Sequence, residues 1–300
     1  MFGAHRCPSF NRSGTDMKIA HLILAHKNPQ QLERLLDALD HPAFDFYIHL
    51  DKKTDAAPFE YLYRRPRTFE VMKRTPVYWA AYGTIQATIN GFEEILPKGY
   101  DYINVISAQD FPLKPADYIY QYILDRKGEE FITCQSIDDE WSEAASRVRR
   151  YHLINWRIPG RYRLEALVNK VLPPRRFPLP HKIVGRANWF TLSSDAVTYA
   201  LGFLRAHPEL VRYYKYCWGA DEFIFSTILY NSHFRPHITD NFVYVDWSGP
   251  KTGHPKVLGV EDFERLKATD KLFARKFDAD KDAAILRLLE EWIQKNQLIT

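Results

Sequence analysis

The sequence predicts an α/β protein, a layered sheet of nucleotide-binding character, and two patterns carry that expectation. Through residues 17–135, short aliphatic runs alternate with segments whose apolar residues recur at helical spacing. His26, Asp51 and the "SAQD" segment at 107–110 stand where those runs end, which is where such sheets bind ligands. No G-x-G-x-x-G follows the first run and no Walker sequence occurs, so neither a Rossmann dinucleotide site nor a P-loop is supported.

The elements follow in order. "KIAHLILAH" (18–26) is a buried strand bounded by "KNP", and "PQQLERLLDALD" is an amphipathic helix through Leu32, Leu35, Leu36 and Leu39. "FDFYIHLD" (44–51) is a second strand and "FEVM" (69–72) a weaker third. "GTIQATINGFEEIL" (83–96) is a helix with Gly91 as its weak point, "YDYINVIS" (100–107) a buried strand, and "PADYIYQYILD" (115–125) another helix. Residues 141–188 break the alternation. Ten Arg and Lys between Arg147 and Lys182 face a single acid, Glu165, and prolines cluster in "LPPRRFPLP". This reads as a basic, partly helical excursion, either a solvated arm or an electropositive rim for an anionic donor, polysaccharide or lipid headgroup. Regular structure resumes with the strand "NWFTLS" (188–193), the helix from Ser194, the strand "FVYVDW" (242–247) and a last helix after "FARKF".

Composition narrows the function classes. Three hundred residues can bury a substantial core, and 46% hydrophobic with 26% charged is ordinary for a globular protein. A net charge of +4 is too small to argue for nucleic acid, and no recognised nucleic-acid module is present. Cys7, Cys134 and Cys217 form neither a disulfide framework nor a metal spacing, which fits a reducing compartment. No apolar run reaches membrane-span length. Residues 1–16 lack periodicity and read as a disordered leader ahead of one domain at 17–300, with a nucleotide-binding half to about 135 and an acceptor and catalytic half beyond it.

The segment "GADEFIFSTILYN" (219–231) offers a working carboxylate. Asp221 is placed to cap the helix through the amides of Phe223 or Ile224. Glu222 shares a polar stripe with Ser226 and Tyr230, and the helix dipole would help keep it ionised as a general base. Two acids placed at a helix start for dipole reasons alone remain the alternative. A metal site would need Asp-x-Asp at a strand end. Asp51 is followed by two lysines instead, and "DAD" at 278–280 sits where the last helix should open, so no metal is expected. Fixed cations would then stabilise a leaving diphosphate, with Arg275, Lys276, Lys251 and Lys256 as candidates. His26, His49 and His254 lack ligand spacing, and no serine has a G-x-S-x-G setting. Trp79 and Trp247 could stack on sugars or simply pack.

Eight segments resemble one family in its order, from "AHKNPQQLERLLDAL" and "YIHLDKK" through "VYWAAYGTIQAT", "YINVISAQDFPLKP" and "NWFTLSSDAV" to "GADEFIFSTILYNS", "VDWSGPKTGHPKVL" and "LFARKFD". It is the family of core-2/I-branching β-1,6-N-acetylglucosaminyltransferases and peptide O-xylosyltransferases. The resemblance implies a GT-A-like fold, a Rossmann-like central mixed sheet flanked by helices. It also implies a UDP-sugar donor, N-acetylglucosamine or xylose as the sugar, inversion at the anomeric carbon, and no metal. It places the base on Glu222 and a diphosphate lysine on Lys276, beside Arg275, with Lys256 as a second ligand. Uridine maps to Ala25, His26, Asp51 and the turn carrying Trp79. Acceptor contacts map to Trp247 and to Arg150–Tyr151. Relatives carry "WGG" where this chain has "WAAYG". Lacking an anchor and paired cysteines, the chain looks like a bacterial, cytoplasmic member acting on a saccharide or lipid-linked saccharide. The basic 147–182 region offers peripheral membrane association. A non-catalytic glycan-binding protein on the same fold is the rival reading.

Overall fold

The computed structural model describes residues 17–249 and 253–297; the expected leader and Lys251 lie outside them. In chain order the strands are β1 (Ile19–Ala25), β2 (Phe44–Leu50), β3 (Thr68–Glu70), β4 (Tyr102–Ser107), β5 (Asp110–Pro112), β6 (Glu130–Phe131), β7 (Gln135–Ser136), β8 (Val184–Gly185), β9 (Phe190–Ser193), β10 (Ile238–Thr239), β11 (Val243–Val245) and β12 (Phe273–Arg275). The helices are α1 (Pro29–Ala38), α2 (Gly83–Ile95), α3 (Ala116–Leu124), α4 (Ala145–Arg149), α5 (Arg161–Val171), α6 (Ser194–Ala206), α7 (Pro208–Tyr214), α8 (Ile224–Tyr230), α9 (Phe263–Ala268) and α10 (Ala284–Gln297).

Seven strands form the main sheet in the order β10-β6-β9-β4-β1-β2-β3. β1 runs parallel to β2 and β4, whereas β9 runs antiparallel to β4 and β6, so the sheet is mixed as expected. The central strand β1 is buried along its whole length, which explains its unbroken aliphatic run. Asn28 caps α1 by accepting from Gln31 N at 2.9 Å, and Pro29 fills the first turn. Gly91 is no weak point. A Cβ there would sit 2.4 Å from Leu22, so the glycine lets α2 lie close against β1.

A smaller sheet, β11-β12-β5, ties the C-terminal part to the exit of β4. Its register sets Arg275 opposite Asp110. The last helix opens later than the sequence indicates: Asp282 caps α10 by accepting from Ala284 N at 2.9 Å. Asp278 and Asp280 do not cap it. Lys27 Nζ lies 2.7 Å from the first and 3.3 Å from the second, and this side-chain bridge across the sequence is invisible to local pattern. The basic excursion is partly helical, carrying α4 and α5. Cys134 and Cys217 are free thiols, and among the described residues no helix is long and apolar enough to cross a membrane.

Candidate active site

A cavity of about 760 Å³ opens at the carboxyl ends of β1, β2 and β4. It gathers Ala25, His26, Asp51, Trp79, Asp221, Glu222, Trp247, Arg275 and Lys276, which are scattered over 250 positions of sequence. Asp51 is buried, yet its carboxyl is held below the usual range. Burial would raise it, but bonds from Lys53 Nζ (2.7 Å), Lys53 N (3.0 Å) and Val77 N (3.2 Å) more than offset that. Through Val77 it shapes the turn that sets Trp79 at the mouth. Trp79 is half exposed, edge-on to Trp218 at 4.9 Å and beside His254 at 4.6 Å. Ala80 has φ 57, a left-handed backbone that glycine adopts without strain. The departure from "WGG" therefore falls on a position that prefers glycine. His26 and His254 are both shifted down by burial first and by neighbouring cations, so they are neutral near pH 7.

The carboxylate pair is arranged differently from expectation. Residues Ala220–Glu222 form a 3-10 turn entered through Gly219, whose φ of 63 suits glycine. α8 starts only at Ile224, and Phe223 N is already bonded to Ala220 O at 3.1 Å. Asp221 therefore does not cap the helix, because the turn's own carbonyl has taken that amide. Its Oδ2 accepts from Asn188 at 2.9 Å, and its buried Oδ1 has no partner among the described residues. Burial pushes the Asp221 carboxyl up.

Glu222 Oε2 accepts from Arg147 Nη1 at 2.9 Å, and 22% of its side chain reaches solvent. Burial first, and then the Asp221 charge, push its carboxyl up to about 7, with Arg147 and Arg186 opposing. A helix dipole keeping Glu222 firmly ionised is not what dominates here; desolvation is. Arg147 is itself placed by aromatic faces, 4.5 Å over Trp218 and 5.1 Å over Trp141. Arg147 was one of ten cations in the basic stretch, and nothing local in "SRVRR" marks it out.

Lining the same cavity, Arg275 lies over Trp189 at 4.5 Å with Nε 3.5 Å from buried Asp110. Lys276 is lowered by burial first and then by Arg275 and Lys281. Among the described residues its ammonium makes no ion pair. The site thus gathers the raised carboxyls of Asp221 and Glu222 with Arg186, Arg275 and the uncompensated Lys276 around one cavity.

The sequence model of the Core-2/I-Branching enzyme family matches residues 19–267. The chain belongs to that family. It is 25% identical over 327 residues to Xylosyltransferase oxt of Drosophila melanogaster, covering 92% of this chain and 33% of that protein. To Xylosyltransferase 2 of Rattus norvegicus it is 23% identical, covering 93% and 34%. The chain spans about a third of the length of these relatives. Among solved structures, mouse Xyloside xylosyltransferase 1 in its apo form superposes at a TM-score of 0.39 with 10% identity, covering 87% of this chain and 97% of that one.

Three residues singled out in this Core-2/I-branching family member do not line the cavity. Arg150 is exposed, and Tyr151 is tied through its backbone to Asn169, its N–H donating at 2.8 Å. The arginine that reaches the carboxylate is Arg147, one turn earlier on α4, because that turn faces Glu222. Lys256 Nζ lies 2.8 Å from both oxygens of buried Asp262 and 3.1 Å from Glu261, so its charge is spent inside the fold. Lys256→Met is expected to lower stability by about 1–3 kcal/mol, since Asp262 keeps Arg265 but loses a charged partner. Denaturant melts measure this loss, and nucleotide affinity should not change. Residues that sequence reasoning missed are Arg147, Arg186, Asn188, Trp189 and Trp218, all recruited by long-range packing. Among the described residues no three His, Cys, Asp or Glu side chains gather as metal ligands do.

Proposed function

We propose that this chain is an inverting glycosyltransferase that moves a sugar, N-acetylglucosamine or xylose, from a UDP donor to a saccharide hydroxyl without a metal ion. One observation carries the reading. A carboxyl poised near neutrality, Glu222, lines the same cavity as Arg275 and the unpaired Lys276. A general base works best with a pKa near the working pH, and a departing diphosphate needs fixed positive charge. In the proposed step Glu222 takes the acceptor hydroxyl proton while that oxygen bonds to the anomeric carbon. The bond from that carbon to the UDP phosphate oxygen breaks, and Lys276 and Arg275 receive the anionic UDP. Arg147 keeps the Glu222 carboxylate aimed and becomes its counter-ion once ionised.

Ala25, His26 and Asp51 line the cavity at the strand exits, where the nucleoside would lie. Trp79 and Trp247, both half exposed, offer flat faces at the rim for sugars. The acceptor is proposed to be a surface polysaccharide or lipid-linked saccharide in a bacterial cytoplasm. Metal independence is supported by the state of the acids: Asp51 is occupied by Lys53 and Val77, and Asp278 and Asp280 by Lys27.

Calorimetric titration with UDP, and a hydrolysis screen across UDP-sugars with and without EDTA, test the proposal. UDP binding and one preferred donor are expected, with rates unchanged by EDTA. Saccharide binding without UDP affinity would instead identify a non-catalytic glycan-binding protein. Strict Mn²⁺ dependence would redirect attention to Asp278 and Asp280.

A further inference from the structure

We propose that α5 and the loop before it form a face that seats the protein on an anionic membrane surface. α5 is built inside out. Its polar residues hold it to the body: Glu165 accepts from Leu153 N at 2.8 Å, and Asn169 brackets Tyr151 at 2.8 and 2.7 Å. None of its residues is buried. Its apolar residues Leu164, Leu167 and Val171 stand at i, i+3 and i+7 and therefore share one stripe, with Val171 71% exposed. An amphipathic helix of a globular protein normally turns that stripe inward. Exposed apolar surface of this extent marks an interaction site.

Charge selects the occupant. Arg163 and Lys170 flank the stripe on the same side; Arg150, Arg157 and Arg176 of the same basic stretch are also exposed, Arg157 lying 3.4 Å over the Tyr78 ring. None of these five makes an ion pair among the described residues. Cations beside exposed aliphatics, with the exposed Trp156 and Tyr162 in the same segment, are the composition of an interfacial helix. Lipid acyl boundaries receive the aliphatics, the headgroups' negative charge answers the cations, and aromatic rings settle at headgroup level. A protein partner would need carboxylates matched to each cation, whereas a fluid anionic surface supplies them without such matching. The inference stands whether or not the cavity transfers a sugar.

Sedimentation with two vesicle types tests it: phosphatidylcholine alone, and phosphatidylcholine in which about a third of the lipid is phosphatidylglycerol. The full chain is expected to bind only the anionic vesicles. Arg163→Gln with Lys170→Gln should weaken that binding by about twenty-five-fold, roughly fivefold for each cation. Leu167→Ser with Val171→Ser should weaken it about tenfold. Both pairs are exposed, so melting temperatures and any turnover of soluble substrate should match the parent chain. Three results would overturn the proposal: no binding to either vesicle, unchanged binding of the Leu167/Val171 variant, or concentration-dependent dimers that the same variant abolishes.

Discussion

Glu222→Gln is expected to lower sugar transfer by about 10²–10⁴-fold while leaving UDP affinity close to that of the parent. The amide keeps the shape and can still face Arg147, but it cannot take a proton. The pH profile adds a second readout. Because the Glu222 carboxyl is pushed up to about 7, parent activity should rise with pH through about 7 and level off above it. The variant's residual activity should lack that limb. Stability moves the opposite way. The folded-state pKa of about 7 stands above the ordinary 4.5, so the folded protein retains a proton that the unfolded chain releases between those values. That contribution is complete below about 4.5 and is lost as pH rises through about 7, a change of roughly 3 kcal/mol. Glutamine carries no such loss, so the variant should gain stability relative to the parent on going from pH 4 to pH 8. Turnover equal to the parent's would remove Glu222 as the base.

Gly185→Ala is expected to damage both the fold and the site. A Cβ at this position would lie 2.2 Å from the carbonyl oxygen of Glu222 and 3.0 Å from the Phe223 ring. The first of these is backbone and cannot rotate away. The same carbonyl accepts from Arg186 N at 3.1 Å, so the contact is already filled on that side. Forcing a methyl into it should cost about 1–3 kcal/mol. It should also displace the Glu222 carboxylate, and a misplacement near 1 Å costs about 10²-fold in rate. Gly202→Ala is the contrast. Within α6, a Cβ at Gly202 meets nothing within 4 Å, so that variant should gain about 0.5–1 kcal/mol with unchanged kinetics. If Gly185→Ala melts and turns over like the parent, the 3-10 turn does not hold Glu222 as described.

Legibility in the sequence followed how local each cause was. β1, β2, β4, α1, α2, α3 and α6 could all be read because their burial patterns are set by neighbours two to four residues away. β5, β6, β7, β8, β10 and β12 run for only two or three residues, too short for a period, and exist because a partner strand elsewhere offers hydrogen bonds. Asp221 shows the same limit at the scale of one side chain. A capping role follows from its neighbours in sequence, but its bond to Asn188 and its place beside the cavity follow from β8 and β9. Lys256 and Arg150 failed as cavity residues for a related reason. Adjacency to a motif does not say which way a side chain leaves the backbone.

By itself, then, the order of residues determined the α/β architecture, the strand exits bearing Ala25, His26 and Asp51, and the choice of Glu222, Arg275 and Lys276, which line one cavity. All of these rest on patterns within a few residues or on motif order along the chain. Only the tertiary structure decided that Arg147 holds Glu222, that desolvation rather than a helix dipole sets its proton affinity, and that Lys256 is spent on Asp262. Charge and burial act through space, and their strength depends on distances and dielectric that no stretch of sequence contains.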